Sequence, residues 1–363
     1  MKKLLILLLC LAPVLAGLPR LYAQRRETEQ LRLAETMGLD PAPEGLRLSL
    51  AAPGGGEEEP LFVSAPGASV NLAMDALRQQ AGGEQLFCGH LQHILLGEAY
   101  ARQGLESLLS AVCRSSDLRL DQPVFLVLDG TAREALESGS ADALRLLSPD
   151  REQTGSLSTA GGILRDLDRQ GSSLIRALRL QPSSREDEGP SLVPAGYGVL
   201  GKECLLAALD QEEAMAAELL TGTLSPCPLL LWDRRGRTVT LELQEAERSI
   251  RPLFDRQGSL TGLAVTVRVR ATVLEIEGFP SVAEEDYREE LTALLEKELL
   301  HRLQQLLQRS RDLEADFLGL GRQLELASPR RCRGLGESLG EKLPELSLRL
   351  RVQGELLHSN DIS

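Results

Sequence analysis

Aromatic side chains are scarce in this 363-residue chain: Phe, Tyr and Trp make up 3% of it, with a single tryptophan. Leucine and alanine must therefore fill most of the interior. An excess of positive charge is also missing. The 40 Lys and Arg stand against 53 Asp and Glu, a formal charge of −13. That disfavours a nucleic-acid partner, which needs clustered cationic surface. The six cysteines include no Cys-x-x-Cys pair. Apart from Cys10, which lies in an N-terminal apolar run, Cys88, Cys113, Cys204, Cys227 and Cys332 remain. An odd number cannot all pair within one chain, so dependence on disulfides is disfavoured. Export would still permit one bridge. The glycines at 196, 198 and 201 are too dispersed for a phosphate-cradling loop, and no Gly-Lys-Ser or Gly-Lys-Thr follows them. No Rossmann glycine pattern, Ser-His-Asp order or metal-ligand cluster stands out. Catalytic triads assemble in space, so scattered catalytic residues leave no mark in the order of the chain.

What is present is a globular composition, 42% apolar and 26% charged, at a length that suggests two or three domains. One stretch dominates. Leu291, Leu294, Leu295, Leu299, Leu303, Leu306, Leu307, Leu313 and Phe317 recur largely in steps of three and four. That is the spacing of one buried helix face. Glu296, Lys297, Arg302, Gln305 and Arg309 fall between them, on the wet side. Ser281 with Glu284 and Glu285 predicts the start, and Gly319 and Gly321 the stop. A helix over 284–313 would run roughly 45 Å. Val265, Val267, Val269, Ala271 and Val273 precede it in strict alternation, as Leu346, Leu348, Leu350 and Val352 follow it. Period two marks strands with one buried face. The expectation is α+β: a one-sided antiparallel sheet covered by the long helix.

Earlier in the chain, 31–40 and 46–50 read as two strands around a turn, and Ser69 as the cap of a helix over 70–80. A strand over 122–129 precedes a helix opening at 130–136. Further helices are expected over 141–147 and 162–169, with a strand over 174–180. The Ser- and acid-rich stretch 181–190 is the clearest linker. Beyond it come a strand, a turn and a strand over 195–205, then a helix over 210–219 ended by Gly222. Segments 229–232, 238–243 and 246–253 read as a small meander turning at Arg235 and Gly236. The expected division is residues 24–182, a linker at 183–193, a small middle unit at 194–251 and a C-terminal unit at 252–363. Three consecutive mixed α/β units follow from it.

Met1, Lys2 and Lys3 precede the apolar residues 4–18, the length and flanks of an export signal, so 1–23 is read as a signal or anchor. The run falls short of the ~20 residues a spanning helix needs. Val14-Leu15-Ala16 and, less well, Leu21-Tyr22-Ala23 offer cleavage sites. Cys10 follows three leucines in mid-run rather than a small residue at its end, so lipidation there is not expected.

Two motifs carry a resemblance. Residues 308–321 read Gln-Arg-Ser-Arg-Asp-Leu-Glu-Ala-Asp-Phe-Leu-Gly-Leu-Gly, with Ser328-Pro329 after them. Residues 87–104 read Phe-Cys-Gly-His-Leu-Gln-His-Ile-Leu-Leu-Gly-Glu-Ala-Tyr-Ala-Arg-Gln-Gly. The first resembles the C-terminal signature of the Ger(x)C family, the C subunits of nutrient germinant receptors in spore-forming bacteria. That family follows an amphipathic helix with Asp-x-x-Gly-x-Gly and a proline, matched by Asp316, Gly319, Gly321 and Pro329. The second resembles the family's Gly-His strand, Gly-Glu and Ala-Arg helix. The similarity runs colinearly over most of 24–352. It fails at Cys332, which stands in place of a tryptophan. It also fails at Tyr22 and Ala23, which stand in place of the lipidated Cys-Trp ahead of Arg25-Arg26-Glu27.

The resemblance implies a non-enzymatic, membrane-associated extracytoplasmic subunit, on the outer face of the spore inner membrane. Its implied partners are a polytopic A subunit and a transporter-like B subunit, with nutrient recognition chiefly in the latter. It implies no cofactor, no metal and no catalytic residue, and it assigns no ligand contact. His90 and His93 match the helical His-Glu-x-x-His pattern poorly, and on a strand they would face opposite ways. A satisfied structural histidine is the better reading. Glu98 and Asp117 read as surface or turn carboxylates. The competing classes are an exported cell-wall hydrolase, which would need two neighbouring buried carboxylates about 5–10 Å apart, and a generic anchored adaptor or solute-binding module.

Overall fold

The computed structural model describes residues 31–53, 60–80, 85–115, 117–138, 144, 158–182, 189–278 and 285–357. The first half contains β1 (Leu31–Leu33), β2 (Thr36–Ala42), β3 (Gly45–Ala52), β4 (Leu61–Gly67), α1 (Val70–Gln80), β5 (Gln85–Phe87) and β6 (His93–Gly97). Then come α2 (Glu98–Gln103), α3 (Glu106–Arg114), β7 (Val124–Leu128), α4 (Ala132–Glu137), α5 (Ala160–Gln170), β8 (Ser172–Gln181), β9 (Ser191–Gly201) and β10 (Leu205–Leu209). Eight of these strands form one sheet in the order β10-β9-β8-β7-β6-β2-β3-β4. Its middle, β2 to β8, is parallel, and both flanks are antiparallel. Every residue of β6 and β7 is buried. Such unbroken apolar runs belong to parallel strands covered by helices on both faces. The short pair of β1 with β5 stands apart from this sheet, so the strand expected over 31–40 is divided in two.

The second half contains α6 (Gln211–Thr221), β11 (Cys227–Trp232), β12 (Thr238–Phe254), β13 (Leu260–Ile276), α7 (Glu285–Asp312), α8 (Leu320–Ala327), α9 (Leu335–Lys342) and β14 (Ser347–Leu357). The sheet order is β11-β12-β13-β14. Leu263, Val265, Val267, Val269 and Ala271 are buried on one face, with Leu291, Leu295, Leu299, Leu303, Leu306 and Leu307 of α7 above them. Each buried leucine contributes roughly 1.5–3 kcal/mol by the area it removes from water. The alternation of β13 and the helical stripe of α7 are thus two halves of one core.

Several expectations change. β8 and β9 pair across the supposed linker, with Leu180 opposite Leu192. Of the expected linker 183–193, residues 191–193 already belong to β9, residues 183–188 lie outside the described residues, and the strands on either side are neighbours in one sheet. The middle unit dissolves as well: β9 and β10 belong to the first sheet, β11 and β12 to the second. Segments 238–243 and 246–253 are one strand, β12, with a register shift between Leu243 and Glu245; that extra residue mimics a break in the alternation. The second sheet is not wholly antiparallel. β14 runs parallel to β13, because α7 to α9 carry the chain back across the sheet before it re-enters, as a crossover does.

Nor do the glycines stop α7. Glu314 takes the left-handed turn at φ 49°, Ala315 N–H returns to Ser310 O at 3.1 Å, and Ser310 Oγ donates to Ala315 O at 2.6 Å. Gly319, at φ 66°, instead opens α8. Ser281, most of the 141–147 helix and the N-terminal run lie outside the described residues.

Candidate functional site

In β8, Leu174, Arg176 and Leu178 alternate with Ile175 and Ala177. The pleat sends the first three toward α6 and the second sheet, where Leu174 joins that core. Tyr197 of β9 shares this side. Above it lies α6, started by Asp210, which accepts from Glu212 N and Glu213 N at 2.9 Å each, and ended by Gly222 at φ 74°. Helix α6 holds Glu218 over Tyr197, whose Oη donates to Glu218 Oε1 at 2.9 Å. Burial first, and then the Glu218 charge, push the Tyr197 pKa upward. Burial also raises that of Glu218, against the pull of Tyr197, the Arg176 charge and the Ser225 N–H. Arg302 projects from α7 and donates to Glu298 Oε1 at 2.7 Å, with Glu212 Oε1 at 3.5 Å.

These groups border a cleft of about 720 Å³ between the two sheets, with apolar walls from Phe125, Leu178 and Met215 and a rim of Leu230 and Trp232. Its size and mixed lining are those of a binding cleft. Glu218 is engaged by Tyr197 and Glu212 by Arg302, which leaves the carboxylates as linkers between α6, β9 and α7. The spacing of Arg176, Tyr197, Glu218 and Arg302 in the sequence does not foretell this meeting; Arg302, expected on the wet side of its helix, is instead only 14% exposed and turned to the cleft.

The two motifs turn out to build helix starts. Asp316 is wholly buried, and its carboxylate accepts from Leu320 N at 2.8 Å and Gly321 N at 2.7 Å. Burial pushes its pKa up to about 7, with the backbone N–H groups pulling the other way. A Cβ at Gly321 would lie 2.7 Å from Leu335 O, so α8 and α9 approach too closely for any side chain there. In the other motif, a Cβ at Gly97 would lie 2.2 Å from Asp40 Oδ1. Asp40, buried in β2, accepts from Ala132 N and Arg133 N at 2.8 Å each and so caps α4. Glu98 accepts from Asp129 N at 3.0 Å and from Arg102 at 2.7 Å. Those backbone and arginine contacts hold its pKa below the usual carboxylate value. Asp40 carried no motif of its own and was missed.

His90 lies exposed in a turn, Nε2 to Gln92 Nε2 at 3.4 Å. His93 is buried against Phe125, ring centroids 6.2 Å apart. No group of three or more His, Cys, Asp or Glu among the described residues is arranged to hold a metal. Asp117 pairs with Arg78. Cys332, in the tryptophan position, is buried in the second core.

A family model described as the spore germination protein N-terminal domain matches residues 24–143. One described as spore germination B3/GerAC-like, C-terminal, matches residues 195–359. Among solved structures, the crystal structure of the GerBC protein is similar at a TM-score of 0.59 and 16% identity, covering 88% of this chain and 96% of that one. At that identity the likeness is one of fold. No curated protein matches the chain.

Proposed function

This chain belongs to the GerAC-like, or Ger(x)C, family of spore germination proteins, and from that membership we propose that it acts as the C subunit of a nutrient germinant receptor. In this reading it is a non-enzymatic, extracytoplasmic component that assembles with a polytopic A subunit and a transporter-like B subunit on the outer face of the spore inner membrane. One observation carries the reading: family models match residues 24–143 and 195–359, within a fold similar to GerBC over 88% of the chain. The internal pairing of Arg176, Tyr197 and Glu218 favours a structural joint over a reactive centre.

The test is deletion of the gene in a strain where it supplies the sole C subunit. Spores should form normally but fail to lose refractility when nutrient is added, and the tagged protein should pull down both partner subunits. Normal nutrient-triggered germination in the deletion strain would overturn the reading.

No helix among the described residues is long and apolar enough to cross a membrane. We assign attachment to residues 4–18, retained with Lys2 and Lys3 on the cytoplasmic side and with Arg20 and Tyr22 at the outer interface. Mass spectrometry of the mature N-terminus should find no lipid on Cys10. A diacylglycerol there refutes this anchor, and a free Gly17 leaves attachment to the partner subunits.

A further inference from the structure

Some arginines of this acidic chain sit beside a carboxylate. Arg78 pairs with Asp75 and Asp117, Arg237 with Asp233, and Arg270 with Glu245 and Glu355. At one end of the second sheet several arginines outside any such pair gather together. Arg251 of β12 and Arg349 of β14 flank Ala264 in register. They lie on the face turned away from α7, since Leu263 and Val265 on either side of Ala264 are buried in the α7 core. Arg351 follows two residues along β14, opposite Thr266. Arg256 sits in the turn that joins β12 to β13. Arg330, Arg331 and Arg333 occupy the connection between α8 and α9. That connection is held at the foot of β12 by the Arg331 guanidinium, 5.1 Å from the Phe254 ring centroid.

All seven side chains are exposed, and among the described residues none is in an ion pair. The acids nearest along the chain are Glu247, Asp255, Glu325, Glu337, Glu345 and Glu355, of which Glu247 and Glu355 pair with Arg268 and Arg270. Two of these are already occupied by backbone: Asp255 accepts from Gln257 N and Ser259 N at 2.8 Å each, and Glu325 from Gly336 N at 3.1 Å. A chain with a formal charge of −13 therefore carries a cationic end, assembled from residues a hundred positions apart.

We infer that this end is a docking surface for anionic phospholipid headgroups, a second membrane contact separate from the N-terminal run. The set contains arginine and no lysine, and the guanidinium fork chelates phosphate oxygens with two parallel hydrogen bonds. Strand ends, a hairpin turn and a short connection carry the charges, and none of the seven lines the cleft between the sheets. A protruding array of this kind meets a planar charged surface, whereas an acidic peptide is held better by a groove. Leu326, the most exposed large apolar residue among the described residues at 66%, stands on α8 just before the connection and supplies an apolar contact at the same end. Cations near an anionic leaflet are attracted within a Debye length and released by salt. Only the choice of a phospholipid over another phosphate-rich surface rests on the proposed extracytoplasmic, membrane-attached role.

The experiment is co-sedimentation of the full chain with vesicles of phosphatidylcholine alone and of phosphatidylcholine with about one-third phosphatidylglycerol, an admixture that gives the leaflet its negative potential. The wild type is compared with the triple variant R251Q/R256Q/R333Q, whose thermal melting is matched to it first. The variant should bind the anionic vesicles roughly a hundredfold more weakly at low salt. High salt should abolish that difference, and both proteins should bind pure phosphatidylcholine equally through the N-terminal run. Were the triple variant unfolded, each single variant should show a step of about fivefold. Equal binding of wild type and variant to the anionic vesicles, or salt-insensitive binding by the wild type, overturns the inference. A variant that keeps vesicle binding but loses its receptor partners overturns it in favour of a protein contact. Free inorganic phosphate that competes as well as the vesicles do also overturns it, in favour of a soluble anion. None of these readouts involves germination, so the receptor reading stands or falls separately.

Discussion

Asp40 and Ala132, 92 residues apart, are joined by a 2.8 Å hydrogen bond from the Ala132 N–H to Asp40 Oδ1. Its partner bond, from Arg133 N to Asp40 Oδ2, has the same length. Together they tie the start of α4 to β2, at a point where Gly97 leaves room for the carboxylate. Asp40→Ala would strand two N–H groups, one of them buried, each costing about 1–3 kcal/mol. The variant should lose roughly 2–4 kcal/mol in urea denaturation, whereas Glu137→Ala, at an exposed ion pair with Arg133, should lose less than about 1 kcal/mol. Equal losses would refute the capping role.

Asp316 gives the C-terminal half a pH dependence. Its folded pKa is raised from 3.8 to about 7, so the folded state holds a proton that the unfolded state has released. Stability from this group is fully present below pH 4, falls as pH rises from 4 to 7, and is level above 7. The slope approaches 1.4 kcal/mol per pH unit. Asp316→Asn removes this titration, and the variant's stability should fall less steeply with pH in that window than the wild type's. An unchanged slope in the variant assigns the effect elsewhere.

Leu303 faces the β13 valines from α7, while Gln305, two residues on, is exposed. Leu303→Asp places an uncompensated charge in the core at a cost of several kcal/mol, and should unfold the second half at room temperature. Gln305→Asp should melt within a few degrees of the wild type. Circular dichroism melts of both variants decide, and matching curves would sink the assignment of the buried face.

Tyr197→Phe removes the hydroxyl that Glu218 accepts from. The expected loss is about 1–2 kcal/mol, with the Glu218 pKa rising further as one stabilising donor goes. Trp232→Ala, on the rim and 60% exposed, should change stability by less than about 0.5 kcal/mol. Because Trp232 is the single tryptophan, its fluorescence in wild type and Tyr197→Phe also reports the cleft directly. Equal stability for Tyr197→Phe and wild type would show that the pair links nothing.

Periodicity is a property of neighbours along the chain, and what depends on neighbours was legible. The helix that carries the leucine stripe ends at Asp312, one residue from the expected 313. β13 buries Val265, Val267, Val269 and Ala271 and β14 buries Val352, with Val273, Leu348 and Leu350 half-buried against the same core, and the Gly97-Glu98 and Asp316-to-Gly321 motifs sit at turns between elements. The order of those motifs also pointed to the family. Pairing is different, because a strand's edge carries no address for its partner. The sequence could mark 183–193 as polar and irregular. Only the docking of Leu180 opposite Leu192 made it a connection within one sheet rather than a border. Charge behaves likewise: summed along the chain it is −13. Folding alone collected Arg251, Arg256, Arg333 and Arg349 at one end, because the β12–β13 hairpin and the return of β14 bring distant residues into register.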